Sequence, residues 1–161
     1  MSEPAPARTP DPRIIAVFGV VAWIAAVVAT FGLLSLILDV DVISQAQAGP
    51  LLGPVMVVAG AVVLGLLLVR VQTARQGPGI SFVGATAAVY ITMLFVGGIV
   101  YTAITADLLQ LLFFPFGYSA SPFIVAAAVL AGLTAIAVLA VEGRGETGGR
   151  PRWPWENRGE P

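Results

Sequence analysis

Apolar residues in this chain come in four uninterrupted blocks, Ile14 to Leu38, Leu51 to Val69, Phe82 to Ala106 and Phe123 to Val141, and every charge lies outside them. An α-helix needs roughly 20 consecutive apolar residues to cross about 30 Å of hydrocarbon, so each block predicts a membrane-spanning helix. The first block, at about 1.5 Å per residue, reaches roughly 37 Å and can cross with tilt to spare.

Helix start and stop signals punctuate these blocks. Asp11 followed by Pro12 reads as an N-cap with proline at the first helical position, where its missing N–H costs nothing. Gly49 and Pro50 restart the chain after a polar stretch. Gly77, Pro78 and Gly79 read as a turn closing the second span, with Ser81 as the cap of the third. That loop is so short that the second and third helices must pack antiparallel. Ser121 with Pro122 opens the fourth span.

Between the third and fourth spans, Leu108 to Phe116 is apolar but too short to cross, and it contains Pro115. Phe113, Phe114, Phe116, Tyr118 and Phe123 cluster around it, an aromatic band suited to headgroup level. The fold expected is therefore an all-α membrane protein: four transmembrane helices in an antiparallel bundle, with a short interfacial or re-entrant segment before the fourth. Residues 1–11 form a short tail, 12–141 the transmembrane domain (spans at about 14–38, 51–69, 82–106 and 123–141) and 142–161 a disordered tail.

Composition agrees: 58% of residues are hydrophobic and 11% charged, against about 25% charged in soluble domains. The absence of Cys excludes disulfides, thiolate metal sites and cysteine nucleophiles, and the absence of His removes the commonest general base and metal ligand. A net charge of −1 implies no attraction to nucleic acid.

Where the charges lie is more informative than their sum. Arg8, Arg13, Arg70, Arg75, Arg144, Arg150, Arg152 and Arg158 fall on one side of the four-span arrangement, and Asp39, Asp41 and Asp107 fall alone on the other. By the positive-inside rule both termini are cytoplasmic and the location is the cell membrane. Ala46-Gln47-Ala48 has the small-residue pattern of a signal-peptidase site, with Gly49 as the new N-terminus. The first apolar block is about twice a typical signal core, however, and the pattern lies well beyond Leu38, so an uncleaved span is the expectation.

No span contains an ionisable carboxylate or base, which leaves proton- or ion-coupled transport without an evident residue. The third span is the most differentiated. At 100° per residue, Thr86, Tyr90, Met93, Gly97 and Tyr101 share one arc, while Gly84, Ala88, Ile91, Phe95, Gly98 and Thr102 take the opposite face. A Tyr hydroxyl in hydrocarbon needs a partner outside its own helix, so Thr86, Tyr90 and Tyr101 are the candidate polar binding face. The plainer reading is an interfacial anchor at Tyr101 and a single buried partner for Tyr90.

Small residues recur at helical spacing, as in Ala25/Ala29, Ala61/Gly65, Gly98/Thr102 and Ala127/Ala131/Ala135, and let helices approach closely in lipid. Packing within one bundle explains them more simply than an oligomer interface. The acids on the far side are too few to read as a metal site, and no cofactor is expected. In the C-terminal tail, Arg150, Arg152, Trp153 and Trp155 form a candidate lipid or partner contact, with Trp suited to headgroups and the prolines favouring an extended, readable peptide.

Gly49-Pro50-Leu51-Leu52-Gly53-Pro54, Phe114-Pro115, Ser121-Pro122-Phe123 and the closing Arg150-Pro-Arg-Trp-Pro-Trp-Glu156 together resemble an uncharacterised family of small four-span membrane proteins from high-GC Gram-positive (actinobacterial) bacteria. The resemblance implies origin and topology and no activity. Small multidrug exporters use a membrane-embedded Glu and quinone-linked disulfide enzymes use cysteines, and both are missing here. The functional expectation is a non-enzymatic assembly or accessory module of the cell envelope, in contact with the lipid bilayer and with a membrane-protein partner. The alternative is a component of a small-molecule transporter or channel, working as a homo-oligomer.

Overall fold

The structure is a computed structural model that describes residues 11–39, 51–74 and 77–146. Five helices follow in order: α1 (Pro12–Leu38), α2 (Leu52–Ala74), α3 (Pro78–Thr105), α4 (Gln110–Tyr118) and α5 (Pro122–Glu146). Four of them are long and apolar enough to cross a membrane. Large apolar side chains cover their outward faces, among them Phe18, Val28, Leu66 and Phe95, which only lipid can solvate favourably. The protein is an all-α membrane bundle.

The helix ends follow local chemistry. The Asp11 carboxylate accepts from the Arg13 amide at 2.9 Å, and Pro12 opens α1. At the other end Asp39 takes a left-handed conformation (φ 51°), which Asp tolerates because its short polar side chain bonds locally. The start of α3 corrects the expected turn. Gly77 is the N-cap and Pro78 the first helical residue, so Pro78 and Gly79 belong to the helix. Ser81 is therefore no cap: it lies inside α3, and its hydroxyl donates back to the Gly77 carbonyl at 3.1 Å. α5 likewise continues through residues 142–146, which the sequence had assigned to the tail.

α1, α2, α3 and α5 form a ring in which each packs on its chain neighbour and α5 closes onto α1. α2 and α5 touch across the diagonal. The centre is filled by Trp23, Leu52, Leu64, Met93 and Ile124, with the small face Ala127, Ala131 and Ala135 of α5 against it. Ala25 and Ala29, by contrast, face outward.

Arg13 and Arg70 lie at one end of the ring, here called the basic end, together with Asp11 and Glu142, and Asp39 and Asp107 lie at the other. With its amide nitrogen as donor, Gln72 bonds the Pro12 carbonyl and the Glu142 carboxylate, each at 2.9 Å, and so ties α1, α2 and α5 together at the basic end.

The acidic end is stepped. Phe31 meets Phe123 edge-on with ring centroids 5.4 Å apart, so α5 begins beside a point on α1 two turns, about 10 Å, short of Leu38. α4 occupies the level above that start and packs on α3. After the left-handed Ala106 (φ 53°), the Asp107 carboxylate accepts from the Leu109 amide at 3.0 Å and α4 turns back along α3.

Candidate functional site

The third span was expected to present a hydroxyl face, and the structure places Met93 and Gly97 of that face in the core with Thr86, Tyr90 and Tyr101 half-buried beside them. The Tyr90 hydroxyl donates to the Ser119 carbonyl at 2.9 Å, linking α3 to the break between α4 and α5. A carbonyl freed by a helix break inside a membrane protein needs such a donor. Ser119 in turn donates its own hydroxyl to the Phe116 carbonyl at 2.9 Å, and the side chains of Tyr118 and Ser121 share a hydrogen bond.

Tyr101 packs its ring on Phe114 at 5.1 Å, and Phe114 stacks on Tyr118 at 5.3 Å. This three-ring column fixes α4 against α3. Phe114 also presses on Gly97, where an added Cβ would meet its ring at 2.7 Å and the Met56 sulfur at 2.9 Å.

Thr86 lies against Gly132 of α5. An added Cβ at Gly132 would collide with the Thr86 hydroxyl and stand 2.6 Å from the Phe82 ring, so α3 and α5 approach as closely as they do only because that position is glycine. The Thr86 and Thr102 hydroxyl oxygens are buried without a hydrogen-bond partner. Thr105 and Thr134 instead donate to the carbonyls one turn back, Tyr101 at 2.9 Å and Leu130 at 2.8 Å.

The opposite face of α3 divides. Gly84, Ile91 and Phe95 are exposed, whereas Gly98 is buried because α4 folds back over it, with Pro115 and the Leu111 carbonyl 3.5 Å from where its Cβ would be.

Sequence reasoning missed a fully buried polar link. The Trp23 indole, wholly buried, donates to the Ala127 carbonyl at 3.0 Å and joins α1 to α5. A tryptophan in mid-span was the available signal, because a buried indole N–H takes a partner. Its ring edge lies 3.0 Å from the Cβ that Gly60 lacks, so a glycine on α2 makes the room.

The described bundle has small recesses. One of about 10 Å³ sits among Met56, Met93, Tyr118 and Phe123. Another, of about 40 Å³, lies between α2 and α3 near the basic end, over Ala85 and Ala135. Among the described residues no three His, Cys, Asp or Glu side chains converge, and Asp39 and Asp107 both sit at helix turns. Arg150, Arg152, Trp153 and Trp155, and the Ala46-Gln47-Ala48 pattern, lie outside the described residues.

Residues 8–161 match a family described as of unknown function, DUF6121. The chain belongs to the DUF6121 family. The match covers all five helices of the bundle. DUF6121 brings no activity with it, and neither the curated proteins nor the solved structures contain a match to the chain.

Proposed function

We propose that this DUF6121 chain is a non-enzymatic assembly or accessory module of the cell membrane, with both termini cytoplasmic, in a high-GC Gram-positive envelope. The observation that carries this reading is the use to which the buried polar side chains are put. Trp23 and Tyr90 reach beyond their own helices, bond backbone carbonyls of α5 and of the α4–α5 break, and so hold the fold together. Thr105 and Thr134 bond within their own helices. An interior organised in this way offers its surface, its basic end and its Arg-Trp tail to other molecules.

Chemical crosslinking in native membranes followed by copurification tests the reading. A partner protein recovered in fixed stoichiometry is expected, and recovery of this chain alone as a homo-oligomer contradicts it. The alternative, a component of a small-molecule transporter or channel, draws on the unpartnered Thr86 and Thr102 hydroxyls, which a permeating polar solute would satisfy.

A further inference from the structure

We propose that the groove between α2 and α3 at the basic end binds an anionic phospholipid, the acyl chain lying in the groove and the phosphate held by Arg70. The recess of about 40 Å³ has Leu67 and Val71 on one wall, Ile80 on the other and Ala135 at its floor. Gly84 forms its mouth, where an added Cβ would have nothing within 4 Å, and the neighbouring Ile80 is 69% exposed, so the groove opens on the lipid-facing side.

Its chemistry selects hydrocarbon over water. The one hydroxyl in the lining, Ser81, already donates to the Gly77 carbonyl, and a bound water needs about two to four polar partners. An acyl chain needs none. Where about 10–15 Å³ of such space holds one water, 40 Å³ accepts a short run of methylenes.

Position supplies the headgroup. Gly84 lies about 9 Å along α3 from Pro78, the depth of the first part of an acyl chain. Arg70 follows Leu67 by one turn on the same side of α2, toward the helix ends, and its side chain is exposed. A guanidinium has five donors, so it can hold a phosphate in addition to the protein partner it already has. The Arg70 charge then favours a lipid of net negative charge over a zwitterionic one. The site requires only that the bundle lie in a membrane, and it stands whether or not the chain assembles with another protein.

Native mass spectrometry of the full chain released from nanodiscs of equimolar phosphatidylglycerol and phosphatidylcholine tests this. Wild type should retain phosphatidylglycerol preferentially. Arg70→Gln should lower its retention about fivefold, the effect of one basic residue at an anionic surface, while Arg70→Lys keeps most of the preference. Gly84→Leu, which closes the mouth, should lower retention of both lipids, and Gly32→Leu, at an open position on α1, should change neither. Thermal unfolding midpoints of the variants confirm that each is folded. Equal retention of the two lipids by wild type, or phosphatidylglycerol retention that survives both Arg70→Gln and Gly84→Leu in folded protein, overturns the proposal.

Discussion

The waist of the bundle and its acidic-end cap are built on opposite principles. At the waist, glycines at 60 and 132 remove material so that Trp23, Phe82 and Thr86 can fill the space, and a single indole bond crosses from α1 to α5. In the cap, α4 rests on α3 through one phenol-to-carbonyl bond and a column of three rings, while Leu108, Leu112 and Phe116 remain exposed. The waist is stabilised by contacts on all sides and the cap by contacts on one. Opening α4 costs less than parting α1 from α5, so motion in this molecule belongs to the acidic end.

Substitutions can break that contrast. The largest effect is expected from Trp23→Ala, which empties the centre and leaves the waist with a cavity; a loss of about 3–5 kcal/mol in reversible unfolding from mixed micelles checks it. Gly132→Ala should cost about 1–3 kcal/mol in the same measurement, because the added methyl has neither space nor a flexible neighbour. Ala106→Gly should instead stabilise by about 1 kcal/mol, since it relieves a left-handed alanine at the hinge into α4. Tyr90→Phe is the mildest, about 0.6 kcal/mol for one interhelical hydrogen bond, and its signature is faster hydrogen exchange confined to residues 110–121. Equal acceleration in α5 after Tyr90→Phe would show that cap and waist open as one unit.

How much of this could be read from residue order depends on which force decided it. Lipid forces long apolar helices and expels arginine, so the four spans and the two-sided charge pattern were legible in the blocks themselves. The inward face of α3 was legible from its 3.6-residue period, down to Met93 and Gly97. The Gly98/Thr102 spacing marked a place for close helix packing, but it could not show that the helix packed on Gly98 would be α4 folding back over it. The start of α3 was placed late because Gly77-Pro78-Gly79 reads equally as a turn and as a cap with proline in the first helical position. Trp23 and its acceptor are 104 residues apart, so nothing local pointed to Ala127. Gln72 and Glu142 carry no sequence signal until the fold brings three helix ends together.

The central claim is that the interior is a packed solid in which Trp23 and Tyr90 hold helices together rather than line a path. Stopped-flow measurement of water and small neutral solute flux into liposomes containing the purified chain tests it most directly. Rates indistinguishable from protein-free liposomes are predicted, for wild type and for Tyr90→Phe and Thr86→Ala alike. A protein-dependent flux that Tyr90→Phe or Thr86→Ala abolishes would contradict it.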